Sequence, residues 1–191
     1  MPALILASSS PYRRSLLQRL RLSFDTVPPS SSEAELEGEL PPDRAVRLSL
    51  AKAQVVAARH GGAVVIGSDQ VAAAGSTVLD KPGDAERCRA QLRQLSGATA
   101  LFHTGCAVLG PEGQRLVHLD TTRVRFRPLR AAEIDRYIRL EQPFDCAGGF
   151  KAEALGITLF ETVETKDPTA LIGLPLIWLA EALRKLGFDL P

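Results

Sequence analysis

Several short segments of the chain carry residue types that bind phosphate or activate water. The first is SSSPYRR, residues 8–14, which places Arg13 and Arg14 in the first turn of a predicted helix. Cations at that end oppose the helix dipole by about a few tenths of a kcal/mol each unless an anion joins them. The segment therefore indicates a phosphate cradle, although the serines could instead cap the helix while the arginines face water.

A second segment, GSDQV, supplies a carboxylate beside an apolar run. Residues 63–66 predict an inner strand, and the polar residues 67–70 are expected to end it. Ligand sites of open α/β sheets gather at strand ends, where an acidic residue can hold a metal or accept a proton. Asp69 is therefore the leading candidate for a catalytic carboxylate. A turn aspartate that binds nearby backbone amides is the alternative.

Two lysines and one glutamate complete the set of candidate residues. Lys81 stands in the turn LDKPG ahead of a predicted helix, and Lys52 lies on another predicted helix. Either ammonium group could neutralise a polyphosphate, but either could also be solvated. The segment CAGGFKAEALG, residues 146–156, places Glu153 after paired glycines, a pattern that also serves ordinary turns.

Composition excludes several classes of protein. The 23 basic and 22 acidic residues leave no broad electrostatic footprint for nucleic acid or a membrane surface. The 3 cysteines lie far apart, which fits neither a disulfide framework nor a zinc site, so buried reduced thiols are expected. Walker A, GxGxxG and GxSxG motifs are absent from the sequence. We expect a soluble, cytoplasmic protein without a signal peptide.

The pattern of apolar residues predicts one α/β domain, residues 1–191, around a mixed sheet flanked by helices. Strands are predicted near residues 4–6, 63–66, 99–109, 116–126 and 157–163, and a hairpin is expected through Gly75 and Ser76. Helices are predicted after Pro11, over residues 43–59, after Asp84, around Tyr137 and from Pro175. Residues 25–42 predict a mobile surface loop, and the alternation of Arg123, Arg125 and Arg127 with apolar residues predicts a strand with one solvated face.

Taken together and in order, LILASSSPYRRSLL, IGSDQV, KPG, QLRQLSG, DCAGGFKAE and ALIGLPL resemble the Maf family of nucleotide pyrophosphatases. The resemblance implies a twisted, ITPase-like α/β fold of two lobes with a cleft between them, frequent homodimers, and hydrolysis of a nucleoside triphosphate to the monophosphate and pyrophosphate. It also implies a divalent metal, Mg²⁺ or Mn²⁺. By position, the phosphate-binding residues are Ser8, Ser10, Arg13, Arg14, Lys52 and Lys81, and the metal ligands are Glu33 and Asp69, with Asp69 also the proton acceptor.

Three positions resemble the branch of the family that acts on 7-methyl-GTP, namely Tyr12, Gln70 and Glu153. Methylation at N7 gives guanine a positive charge that favours an aromatic face, and the ring's N1 and N2 donors suit a carboxylate acceptor. The alternatives are the sister branch, which acts on dTTP and UTP, and a nucleotide-sensing regulator of cell division. The family pattern has an acidic pair where this chain has Ser32 before Glu33.

Overall fold

Seven strands form a mixed sheet in the computed structural model, which describes residues 2–191. They are β1 Leu4–Ala7, β2 Asp25–Thr26, β3 Val64–Ala74, β4 Thr77–Leu79, β5 Thr99–Leu109, β6 Arg115–Phe126 and β7 Phe160–Glu164. The order in the sheet is β2-β1-β3-β5-β6-β7, with β4 also paired to β3. Strand β1 runs parallel to β2 and β3, whereas β3–β4 and β6–β7 are antiparallel pairs. The predicted mixed α/β fold is confirmed.

Five α-helices accompany these strands within residues 2–191. They are α1 Pro11–Gln18, α2 Pro41–Ala57, α3 Ala85–Leu95, α4 Ala131–Glu141 and α5 Leu176–Lys185, and short 3-10 helices cover Ala147–Gly149, Leu155–Leu159 and Ala170–Ile172. In the described part of the chain, no helix is both long and apolar enough to cross a bilayer. The strand predicted over residues 157–163 begins later, at Phe160, because a 3-10 helix occupies the preceding turn.

The internal contacts of the chain group it into two compact units. The first contains the chain up to Gln70 together with Thr104–Asp120 and Asp167–Pro191, and the second contains Val71–His103 and Thr121–Lys166. In the first unit, β1 is buried on both faces. Leu4 and Leu6 belong to one apolar cluster with residues of α1 and α5, while Ile5 belongs to another with residues of α2. This two-sided burial explains the uninterrupted apolar run in the sequence.

Strand β3 does not end at the polar residues 67–70, contrary to the prediction. It continues from Val64 to Ala74, and Asp69 lies within it with only 8% of its surface exposed. Polar side chains can remain inside an inner strand when each finds a partner, and those of Ser68, Asp69 and Gln70 are all hydrogen-bonded. Because successive side chains of a strand alternate between its faces, Ser68 and Gln70 lie on the face opposite to Asp69.

Gly67 lets α2 approach the face of β3 that carries Asp69. A Cβ atom at this position would lie 2.2 Å from the carbonyl oxygen of Ser49 and 2.7 Å from the backbone nitrogen of Ala53. Backbone atoms cannot move aside locally as a flexible side chain can, so only glycine permits this helix-to-strand distance. Lys52 lies on the same helix, directly before Ala53. The close approach of the helix to the strand therefore brings Lys52 beside Asp69.

We expect Gly67→Ala to destabilise the protein by about 1–3 kcal/mol, because an added methyl group must push α2 away from β3. Urea unfolding followed by circular dichroism measures this difference. Gly61→Ala is the matched control, since a Cβ atom there meets no atom within 4 Å, and its effect should stay within about 0.5 kcal/mol. Equal stability of the two variants would show that α2 is not held against Gly67.

In the second unit, the arginines of β6 form ion pairs along its solvated face. Arg125 Nε lies 2.9 Å from Glu161, Arg123 Nε lies 3.8 Å from Glu164, and the apolar residues between them are fully buried. The prediction of a strand with one solvated face is therefore confirmed. Beneath that strand, the aromatic rings of Phe102, Phe126, Phe150 and Phe160 meet edge to face with centroids 4.9–5.5 Å apart.

Residues 27–40 are exposed for much of their length, in agreement with the predicted surface loop. The bounds of that prediction are wrong, because Asp25–Thr26 form β2 and α2 begins at Pro41. Ion pairs join the loop to α2. Arg47 binds Glu39 at 2.5 Å and donates to the carbonyl oxygen of Ala34 at 3.0 Å, and Arg44 pairs with Glu35. Exposed pairs of this kind contribute little free energy individually, typically about 0–1 kcal/mol. Together, these two ion pairs hold Glu35 and Glu39 beside α2.

Candidate active site

Lys52 joins two of the predicted carboxylates. Its Nζ atom lies 2.5 Å from Asp69 Oδ1 and 2.6 Å from Glu33 Oε1. Lys52 and Asp69 are both buried, with 9% and 11% of their side chains exposed, whereas Glu33 is 61% exposed at the rim. A buried charge needs a charged partner, and the ion pair with Lys52 fixes the orientation of the Asp69 carboxylate. The turn alternative for Asp69 is excluded by this placement.

Arg13 lies close enough to Asp69 and Glu33 to interact electrostatically with both carboxylates. Its Nε–H group donates to the carbonyl oxygen of Gly173 at 2.9 Å, so the guanidinium does not simply face water. Burial lowers the pKa of Arg13 from its usual value, and the negative charges of Asp69 and Glu33 oppose that change. An arginine remains protonated at neutral pH even so, which leaves a desolvated cation beside the carboxylates.

The rest of the SSSPYRR segment divides into a capping part and an exposed part. Ser10 is the N-cap of α1 and accepts from the backbone nitrogen of Arg13 at 3.4 Å, while buried Ser8 accepts from the backbone nitrogen of Ser10 at 3.1 Å. Tyr12 is half-buried in the first turn. Arg14 is exposed and lines a surface hollow with residues 22–26. The capping alternative thus applies to Ser10, and the water-facing one to Arg14.

Gln70 is bound to the backbone of the loop that precedes α5. Its Nε2 atom lies 3.1 Å from the carbonyl oxygen of Ala170, 3.0 Å from that of Leu171 and 3.0 Å from the hydroxyl of Thr104. These contacts engage the amide nitrogen with protein acceptors. Any contact between Gln70 and a base would therefore fall to its Oε1 atom, and that role stays a prediction.

Lys81 and Glu153 belong to the second unit, and both are exposed. Lys81 lies in the loop that follows β4. At the end of this loop, Gly83 donates its backbone N–H to the carbonyl oxygen of Phe144 at 2.9 Å. Glu153 lies on a turn that is tied to α4 on both sides. Lys151 donates its backbone N–H to the hydroxyl of Tyr137, and Leu155 donates to Glu141, each at 3.1 Å. Their assignments to substrate remain predictions.

Glu33 and Asp69 carry carboxylates, the ligand type that hard divalent cations prefer. Among the described residues, no cluster of three or more His, Cys, Asp and Glu residues forms a protein-only metal site. Glu33 and Asp69 nevertheless contact the same ammonium group. Mg²⁺ is usually held by one or two carboxylates with substrate phosphates and water, so these two oxygens suit an ion that arrives with its nucleotide.

The buried cysteines do not provide a nucleophile. Burial raises the pKa of Cys88 to about 11 and that of Cys106 to about 12, so both are neutral thiols at physiological pH. Both are free of disulfide bonds, as expected for reduced thiols. Cys146 is also free but only half-buried, so the expectation of burial is wrong for this cysteine. Covalent catalysis by either buried thiol is excluded.

The sequence does not predict that the loop of residues 167–173 contacts this site. Its carbonyl oxygens contact Arg13, Ser68 and Gln70, and its own shape is set by Asp167 and Thr169. The dipeptide Asp-Pro followed by threonine is a local signal for a turn. That signal cannot reveal the contacts, because the partners lie 100–160 residues away along the chain.

Two known proteins are similar to this chain in sequence over nearly their full length. A protein named 7-methyl-GTP pyrophosphatase from Xanthomonas axonopodis pv. citri (strain 306) is 53% identical over 191 residues and covers 100% of both chains. A protein of the same name from Bordetella avium (strain 197N) is 53% identical over 189 residues, which are 98% of this chain and 95% of that one.

Two solved structures are similar in fold. The Staphylococcus aureus Ham1 protein superposes with a TM-score of 0.51 at 12% identity, covering 96% of this chain and 98% of that chain. A HAM1 protein from Coxiella burnetii superposes with a TM-score of 0.50 at 16% identity, covering 97% and 100%. A family model described as Maf-like protein matches residues 3–186. The chain therefore belongs to the Maf family.

Proposed function

We propose that this protein hydrolyses 7-methyl-GTP to 7-methyl-GMP and pyrophosphate. The observation that carries the proposal is the buried Asp69 carboxylate, held at 2.5 Å by Lys52 and within electrostatic reach of Arg13. One carboxylate beside two cations suits hydrolysis of a polyphosphate, because the cations neutralise the phosphates while the carboxylate acts on water. The choice of base is supported by the names of the relatives at 53% identity.

In the proposed reaction, Asp69 accepts a proton from a water molecule that attacks the α-phosphorus. Lys52 binds Oδ1, so we assign Oδ2 to the water. The bond between the α-phosphorus and the oxygen bridging to the β-phosphorus breaks, and pyrophosphate leaves in one piece. The hydrogen bond from Lys52 orients the carboxylate toward the attacking water.

Arg13 is assigned to the phosphate oxygens. The bond from Nε to Gly173 fixes the plane of its guanidinium, and the terminal nitrogens are the atoms that grip phosphate in pairs. Ser8 lies buried just before α1 and extends the same cradle. The assignments of Ser10, Arg14 and Lys81 to phosphate rest on the family resemblance.

The proposed divalent metal, Mg²⁺ or Mn²⁺, would be held by Glu33 and Asp69 together with the substrate. When bound, such an ion neutralises phosphate charge and polarises the bond that breaks. The ammonium group of Lys52 already contacts both carboxylates, so a metal ion would share Glu33 and Asp69 with Lys52. Binding of metal and nucleotide together is therefore expected to be stronger than binding of metal alone.

Recognition of the base is assigned to Tyr12, Glu153 and the Oε1 atom of Gln70. The charge on 7-methylguanine suits the ring of Tyr12, and its N1 and N2 donors suit a carboxylate. A homodimer, which the family resemblance implies, and a cytoplasmic location, which the sequence favours, are also proposed. The free cysteines are in keeping with a reducing compartment.

A panel of triphosphates tests the proposal. Purified protein with Mg²⁺ or Mn²⁺ should release pyrophosphate, and not orthophosphate, from 7-methyl-GTP with a higher kcat/KM than from GTP, dTTP or UTP. Preference for dTTP and UTP would place the chain in the sister branch and leave the reaction type intact. Tight binding without turnover on every nucleotide would favour a sensor and overturn the proposal.

A further inference from the structure

A buried aspartate organises the loop that precedes α5. Asp167 is 3% exposed, and its Oδ1 atom accepts from the backbone nitrogen of Thr169 at 2.9 Å. Its Oδ2 atom accepts from the backbone nitrogen of Ile177 at 2.7 Å, in the first turn of α5. Because a carboxylate is favourable at a helix N-terminus, this residue ties the start of the loop to the start of the helix.

The hydroxyl group of Thr169 contacts the end of the loop that leads into α5. Its hydroxyl oxygen lies 2.6 Å from Asp167 Oδ1 and 2.8 Å from the carbonyl oxygen of Leu174, and the single hydroxyl hydrogen can serve one of them at a time. The same oxygen accepts from the backbone nitrogen of Leu176 at 2.9 Å. Together, the two side chains fix the backbone of residues 170–173 from both ends.

The fixed backbone carries carbonyl groups that contact the candidate active site. Gly173 accepts from Arg13 Nε at 2.9 Å, and the Ser68 hydroxyl lies 2.8 Å from the same oxygen. Ala170 and Leu171 accept from Gln70. Ser68 and Gln70 flank Asp69 in β3, so the loop supports the strand from the face opposite to the carboxylate.

Gly173 can adopt the backbone conformation that aims its carbonyl oxygen at Arg13 because it has no side chain. Its φ of +121° lies in the region that disfavours other residues, and a Cβ atom would lie 3.3 Å from Arg13 Nε. Two features therefore set the orientation of this carbonyl group. They are the backbone conformation that Gly173 allows and the hydrogen bonds of Asp167 and Thr169.

We propose that Asp167 is a positioning residue that acts through the Gly173 carbonyl group to aim the Arg13 guanidinium at the substrate phosphates. This inference rests on the proposed function, because it takes Arg13 to be a phosphate ligand. A carboxylate that only capped α5 would stabilise the helix without influencing catalysis by a particular arginine. Dependence of its effect on Arg13 therefore separates the two roles.

The test is a double-mutant cycle with Asp167→Asn and Arg13→Ala, using kcat/KM for the triphosphate and the inhibition constant of pyrophosphate. In the otherwise unchanged protein, Asp167→Asn should lower kcat/KM about tenfold, as expected for a lost charge-assisted hydrogen bond that orients a ligand. In the Arg13→Ala background the same change should have less than about a twofold effect, because coupled residues are not additive. A tenfold loss in both backgrounds would overturn the inference.

The controls separate this inference from helix capping and from the proposed function. Glu133→Gln removes a carboxylate that accepts from the backbone of Arg130 at the start of α4, and it should leave kcat/KM within about twofold. Thermal unfolding of each variant shows that the assays contain folded protein. If Arg13→Ala alone changes nothing, the phosphate assignment of Arg13 fails, which is a different result from additivity.

Changes at Thr169 keep the inference testable if Asp167→Asn does not fold. Thr169→Val removes the hydroxyl, whereas Thr169→Ser retains it and should recover most of the activity. We expect the valine variant to lose about fivefold to tenfold in kcat/KM, and this loss should again disappear in the Arg13→Ala background. Equal activity of the valine and serine variants would contradict the inference.

Discussion

Asp69→Asn should lower kcat by about two to four powers of ten while the protein remains folded, because an amide cannot accept the proton of the attacking water. The side chain keeps its size, and its carbonyl oxygen can still accept from Lys52, which now lies 2.5 Å from Oδ1. The fold should therefore survive, although Lys52 loses one of its two carboxylate partners and keeps Glu33, which costs some stability. Initial rates of pyrophosphate release give kcat, and circular dichroism reports the fold.

Two comparisons make the Asp69→Asn result specific. Asp135→Asn removes an aspartate that pairs with Arg89 at 2.6 Å in the second unit, and its kcat should remain within about twofold of the unchanged protein. Nucleotide binding to the Asp69→Asn protein, measured by calorimetry, should persist if the loss lies in the chemical step. More than a tenth of the original kcat would remove Asp69 from the role of base.

Glu153→Gln should lower kcat/KM for 7-methyl-GTP by about ten- to a hundredfold relative to UTP. A glutamine presents its own N–H donors to the N1 and N2 donors of the base, and a charge-assisted hydrogen bond is lost or opposed. The exposed position of Glu153 on a turn tied to α4 lets the substitution be made without disturbing buried residues. Competition between the two nucleotides in one assay gives the ratio directly.

Glu164→Gln provides the matched exposed glutamate, since its side chain is 70% exposed and faces Arg123 across the β6–β7 pair. It should leave the ratio of the two nucleotides unchanged. A parallel fall with both substrates in the Glu153→Gln protein would show that this residue affects the reaction and not the choice of base.

Local signals were sufficient to predict most elements. The helix predicted after Asp84 forms as α3, with Asp84 as its N-cap and with Cys88, Leu92 and Leu95 buried. The hairpin through Gly75 and Ser76 also forms, between β3 and β4. In each case the decisive interactions lie within a few residues, so periodicity and turn chemistry carry the information.

The candidate site was less accessible from the sequence because its contacts join distant segments. Polar residues in an inner strand resemble a turn until their partners are known, and Asp69 finds Lys52 on a helix 17 residues earlier. For the same reason the sequence does not predict the contacts of Asp167, although the nearby motif ALIGLPL contributes to the family resemblance. The sequence indicates which residue types could do chemistry. It does not indicate on which face of β3 each side chain finds its partner.

The hydrogen bond between Arg13 and Gly173 has a consequence for the order of events during synthesis. Its two residues are 160 positions apart, so the arginine is translated well before its partner. Ribosomes add about 5–20 residues per second, and domains tend to fold from the N-terminus as they emerge. A nascent chain that lacks Asp167–Pro191 has no acceptor for this guanidinium. Catalytic competence should consequently appear only after the C-terminal segment leaves the ribosomal tunnel.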